Sequence, residues 1–133
     1  MFNKYEVGAL ILRIFLGLTF FIHGLVKFQG GIGNTAGFFE NIGLPGFSAY
    51  VVAIIELVGG LALIVGLGTR VVSILFAIIM VVAIFTVKLP AGFLGTPEMA
   101  GYELDLALLV ISIYLAIAKS SLFSVDNVLY RSK

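Results

Sequence analysis

Four long apolar runs limit what this chain can fold into more than any other feature. They are Val7–Phe28, Ser48–Leu67, Val71–Val87 and Glu103–Ala118. A hydrocarbon core about 30 Å thick takes about 20 helical residues to cross, with shorter spans tolerated. Only 11% of the 133 residues are charged and 61% are hydrophobic, whereas a soluble domain carries roughly 25% charged residues. Mean hydropathy is +1.19. The expected architecture is all-α: a polytopic four-helix membrane bundle, a single domain over residues 1–133. Backbone polar groups in lipid must be paired within the segment, which helices do.

The first run is too long for a signal peptide, Arg13 interrupts it, and no small-residue cleavage site follows, so it reads as a retained helix. The second and third runs are separated by "GTR", Gly68 to Arg70, and must form a tight antiparallel hairpin. Lys and Arg outside the spans set orientation. Lys4, Arg70, Lys119, Arg131 and Lys133 fall on one side, Lys27 and Lys88 on the other, five against two. That bias predicts a plasma-membrane protein with both termini and the short turn in the cytoplasm. The connections 29–47 and 89–102 then face outside. Both are long for unstructured loops, and "AGFFENIGLPGF" is apolar where a solvated loop is polar. Thr35 is placed to cap a short helix carrying Phe38, Phe39 and Ile42, ended by Gly43 and Pro45. This predicts an interfacial or partly re-entrant helix in the first outer loop; an amphipathic segment resting on the membrane surface is the other reading.

Helical geometry assigns faces to the polar residues. At about 100° per residue, Arg13, Gly17, Phe20, Gly24 and Lys27 share one stripe, with His23 about 80° off its centre. Ala49, Ala53, Glu56 and Gly60 fall within an arc of about 60°. Small residues mark close helix contact in membranes, so both stripes are expected to face protein. Asp105, Ser112 and Ala116 share a face of the fourth helix, while Glu103 lies where it can bend to water. The third helix has Ser73, Ala77 and Met80 on one face and reads as a packing element. Depth at about 1.5 Å per residue puts Glu56 between His23 and Arg13, within reach of either. Lys27, Lys88, Glu103 and Asp105 ring the outer rim.

The same inventory excludes much. Net charge is +1, leaving no basic footprint for nucleic acid. There are no cysteines and one histidine, so disulfides, iron–sulfur clusters and multi-histidine metal sites within one chain are out; no metal site is expected. No phosphate-cradling glycine motif is present.

The segments "LILRIFLGLTFFIHGLVKF", "IIELVGGLALIVGLGTR", "GYELDLALLVISIYLAI" and "SLFSVDNVL" together resemble the DoxX family of small bacterial integral membrane proteins. The carrying elements are R-x9-H-G-x2-K, E-L-x-G-G-x5-G-x-G-T-R, and Tyr102-Glu103 at the start of the fourth helix. The resemblance implies a four-helix membrane protein, described in that family as a quinone-linked oxidoreductase or an oxidoreductase subunit. By matching position it makes Arg13, His23, Lys27, Glu56 and Glu103 the family's polar signature.

Ionisable groups inside a membrane are functional candidates by default. In a quinone-handling protein, His23 is the natural proton donor, since histidine is the side chain that ordinarily titrates nearest neutral pH. Glu56 would orient it or relay the proton. Those two are the candidate catalytic residues. Arg13, Lys27, Glu103 and Asp105 are the candidate ligand-binding residues, the cations stabilising charge developing on a reduced quinone. Electrons would come from a bound cofactor or a redox partner protein. Two other readings stand beside this one: a small-molecule transporter, which with four helices would need to homo-oligomerise, and a scaffold anchoring a redox or stress protein to the lipid bilayer. Each residue also has a plainer role: Arg13 with Glu56 as a structural ion pair, Lys27 snorkelling, His23 as packing, Glu103 and Asp105 as helix N-terminal carboxylates.

Overall fold

A computed structural model describes residues 3–118 and 123–130. Lys119, Arg131 and Lys133, all used in the charge bias, lie outside the described residues. The elements are helices α1 (Lys4–Gln29), α2 (Ile32–Asn41), α3 (Phe47–Val65), α4 (Thr69–Ala83), α5 (Glu103–Ile117) and α6 (Val125–Tyr130). A π-helical turn, Ile84–Lys88, and a 3-10 turn, Leu89–Ala91, extend α4. A two-residue antiparallel ribbon pairs β1 (Gly95–Thr96) with β2 (Met99–Ala100). The fold is all-α apart from that ribbon. Among the described residues, three helices are long and apolar enough to cross a membrane: Lys4–Gln29, Phe47–Val65 and Thr69–Ala91. At the place of the fourth expected span stands α5, a helix of 15 residues that is not among those three.

Local chemistry fixes the helix ends. The Asn3 carboxamide oxygen accepts from Tyr5 N and Glu6 N at 2.8 and 3.0 Å, capping α1. The α3–α4 turn is made by Gly66 and Gly68, both in left-handed backbone (φ 75° and 62°) that an L side chain rarely adopts. Leu67 N closes back on Ala62 O at 2.7 Å, a Schellman-type ending. The turn therefore starts two residues before "GTR", and Thr69 already belongs to α4. The short helix of the first loop also starts earlier than its sequence suggests. Gly31, at φ 92°, precedes it, and Thr35 lies inside it rather than at its cap. Its end is as expected, with Gly43 at φ 91°.

Helices α1 and α3 pack so closely that side chains are excluded between them. A Cβ on Gly17 would lie 2.6 Å from Gly60 O, and one on Gly24 would lie 2.7 Å from Leu57 N. Ala49, Ala53, Glu56 and Gly60 are all buried, so the small-residue seam of α3 is real. Helix α4 packs along α5. The two helix pairs meet through a stacked ring pair, Phe20 of α1 on Phe76 of α4, with centroids 3.8 Å apart. Leu16, Leu63, Leu108 and Leu115 complete the core around it. The opposite faces carry exposed Ile, Val, Leu and Phe along each long helix, as a bilayer solvent requires.

Arg13 is fully buried, and its Nη2 donates to Phe123 O at 2.8 Å. Three residues later Asp126 accepts from Gly68 N and Thr69 N at 2.8 and 3.1 Å, capping α4 from a distant part of the chain. Asp126 N donates to Gly66 O at 3.0 Å. Arg13, the α3–α4 turn and the start of α6 thus form one polar cluster at one end of the molecule.

Candidate functional site

The second polar cluster lies at the other end, and the α1–α3 register decides its membership. Gly24 stands against Ala53 and Leu57, so Glu56 enters the seam at that level. Lys27 sits about one turn further toward the end of α1, and its flexible stem brings Nζ to 2.7 Å from Glu56 Oε1. The Glu56 side chain is 4% exposed and that of Lys27 23%. Depth counted along each helix separately puts Glu56 within reach of Arg13 or His23; the structure pairs it with Lys27. Arg13 instead meets Gly66, ten residues further along α3, or about 15 Å of helix.

A cavity of about 480 Å³ opens beside the Lys27–Glu56 pair. Phe20 and Leu108 contribute core atoms to it. Ile79, Val82 and Thr86 line it from α4 and its π turn, and Phe38, Phe39, Leu44 and Pro45 from α2 and the turn after it. His23, Lys27, Glu56 and Asp105 all reach this one space, and Lys88 joins them. Four of the six sequence-nominated residues therefore share a cavity. Arg13 does not reach it. Glu103 is exposed at the start of α5 and does not line it either. Phe93 does not line it and packs edge-on against Tyr102 at 5.7 Å.

Two contributions escape the sequence reading. The first is the cavity-lining face of α4, which reads as packing because it carries no charge within the apolar run. The second is the π turn. Its extra residue per turn rotates Thr86, Val87 and Lys88 relative to the α-helix below, and all three line the cavity. Pro90, just beyond, is the one sequence signal nearby: it removes a backbone donor and ends regular helix.

Chemically, the cavity is an apolar box with cationic donors (Lys27, Lys88), carboxylate acceptors (Glu56, Asp105) and an imidazole that does either. Its volume lies in the range of small-ligand sites, about 300–1,000 Å³.

The DoxX family profile matches residues 8–89. A Bacillus subtilis (strain 168) protein named "Putative oxidoreductase CatD" is 47% identical over 133 residues, covering 100% of this chain and 95% of that one. An uncharacterized membrane protein of Mycobacterium tuberculosis is 34% identical, covering 90% of this chain and 80% of that protein. The inner membrane protein YqjF of Escherichia coli (strain K12) is 38% identical over 65 residues, 49% of each chain. No solved structure matches. With the profile spanning more than half of the sequence and relatives aligned along nearly all of it, the chain belongs to the DoxX family.

Proposed function

We propose that this protein is a quinone-linked membrane oxidoreductase component that binds an oxygenated apolar ring in the cavity beside the Lys27–Glu56 pair. One observation carries the reading: a part-buried carboxylate–ammonium pair and an imidazole open onto a space walled mostly by phenylalanine and aliphatic side chains. A simple structural ion pair needs no such space beside it. The name of the Bacillus subtilis relative supports redox work.

A quinone, when bound, takes up two electrons and two protons and becomes a hydroquinone. The residues divide the remaining tasks. Phe20 and Phe39 offer faces for the ring. Lys27 places a positive charge where oxygen gains negative charge. His23 donates a proton to that oxygen, and Glu56 holds Lys27 in place and accepts or relays protons. In the proposed setting α1, α3, α4 and α5 form a four-helix bundle as one domain in the plasma membrane, with both termini cytoplasmic. Helix α2 lies at the outer interface over the cavity. Electrons arrive from a redox partner protein.

The test uses the full chain purified in mild detergent and tetramethyl-1,4-benzoquinone as probe. A ligand that binds only the folded state stabilises it by about 2.7 kcal/mol at a hundredfold excess over Kd, which raises the thermal midpoint by several degrees. We expect that rise for the wild type and its loss in His23→Ala, with the ligand-free midpoint of the variant close to wild type. If no rise occurs in the wild type and His23→Ala unfolds the protein, the cluster is structural and the protein is a scaffold.

A further inference from the structure

The cavity is bounded by two tightly packed helix pairs, and each pair brings one cation and one carboxylate to it. Lys27 and Glu56 come from α1 and α3, and they are bonded to each other at 2.7 Å. Lys88 and Asp105 come from the end of the π turn and the first turn of α5, and both line the same space. They make no ion pair within 4.0 Å and no hydrogen bond among the described residues. Helix α5 begins at Glu103 and the π turn ends at Lys88, with the ribbon between them, so the two residues stand at the same end of the α4–α5 pair. Each is half-buried, and neither has a partner among the described residues to satisfy it. Half-buried charges facing an apolar space call for a partner there. Lys88 is not one of the residues that the family motif contributes.

We infer that Lys88 and Asp105 form a second polar subsite. It recognises an oxygen on the far edge of the ring whose near edge meets His23 and Lys27. The inference rests on the ligand reading above and narrows its chemistry. The favoured ligand carries oxygens at opposite edges of one ring, as a 1,4-quinone or its hydroquinone does. Lys88 donates to a carbonyl oxygen, and Asp105 accepts from a hydroxyl. One subsite therefore serves both redox forms. A ring with a single oxygen fills only the Lys27 side and leaves Lys88 and Asp105 facing its apolar edge.

The experiment compares two probes of nearly equal size on the full chain in mild detergent: tetramethyl-1,4-benzoquinone and 2,3,5,6-tetramethylphenol. A hydrogen bond to a charged group corresponds to roughly a tenfold or greater change in Kd. We expect the wild type to bind the quinone about tenfold more tightly than the phenol. Lys88→Met should remove that preference by weakening the quinone alone, and Lys88→Arg should retain it. Asp105→Asn is the second variant, read with tetramethylhydroquinone, which should weaken while the quinone does not. Equal wild-type affinity for quinone and phenol overturns the two-ended site and leaves the ligand reading standing. So does equal weakening of both probes by Lys88→Met. If neither probe binds the wild type, the ligand reading itself falls and this inference falls with it.

Discussion

Glu56 is 3% exposed and its carboxylate lies 2.7 Å from Lys27, so the two charges depend on one another. Glu56→Leu leaves an ammonium facing an apolar seam. Breaking a buried pair costs about 3–5 kcal/mol. We expect about 3 kcal/mol here, the low end, because Lys27 is at the end of α1 and can swing outward. Glu56→Gln keeps an acceptor and should cost about 1 kcal/mol. Unfolding titrations of the two variants in detergent give both numbers; equal losses would mean that the charge contributes nothing. Arg13→Ala belongs to the other cluster. It removes a fully buried side chain and a donor to Phe123 O, so it should lower stability strongly while sparing quinone-analogue affinity in the protein that remains folded. That each of these residues faces protein was legible from the 3.6-residue period alone. Which one met which was not. A helical wheel gives direction around one axis, and partnership depends on the register between two axes, set here by Gly17 against Gly60 and Gly24 against Leu57.

At the scale of elements, the α1–α3 contact works only with glycine at the crossing. In Gly24→Val, the new Cβ would stand 2.7 Å from Leu57 N and 2.9 Å from Ala53 O, both backbone atoms that cannot step aside. The helices must separate, at about 1–3 kcal/mol for overpacking of this kind. The separation also pulls Lys27 from Glu56, so a thermal midpoint drop should be joined by weaker quinone-analogue binding. Gly8→Val, on the same helix with nothing within 4 Å of its Cβ, is the control and should change neither. The turn between α3 and α4 makes a second test. Asp126→Ala removes both capping bonds from Gly68 N and Thr69 N, worth about 0.5–2 kcal/mol for a capping residue, and a thermal midpoint measurement reads it. The four apolar helices announced themselves in the sequence by length and hydropathy, and α2 by its phenylalanines and Gly43, whereas α6 did not. The Asp126 cap was invisible because its two partners lie 58 and 57 residues away. The π turn was invisible because "IFTVK" carries no residue that distinguishes an α from a π turn; the extra residue per turn is a response to packing.

For the whole molecule, the arrangement of charges now follows from the fold. Arg13 with the Gly66–Asp126 cluster sits at one end, and Lys27, Glu56, His23, Lys88 and Asp105 gather at the other, with the Phe20–Phe76 stack between. The apolar middle is the part a bilayer tolerates. Sidedness does not follow from shape, because either end of such a body satisfies the hydrophobic condition. It follows from where lysine and arginine lie relative to the spans. On that bias the cavity end is expected to face outward. Asn34 in α2 and Thr96 in the β-ribbon are exposed at the connections of that end, and the chain has no native cysteine. Asn34→Cys and Thr96→Cys, made singly, should therefore react with a membrane-impermeant thiol reagent in intact cells. Arg70→Cys, exposed in the opposite turn, should react only after lysis. The reverse pattern would put the cavity on the cytoplasmic side, and the redox partner would then reach it from within the cell. Reaction of Asn34→Cys without Thr96→Cys would mean that the two connections lie on different sides, which two crossings between them, α3 and α4, forbid, and α3 or α4 would have to be read as failing to span.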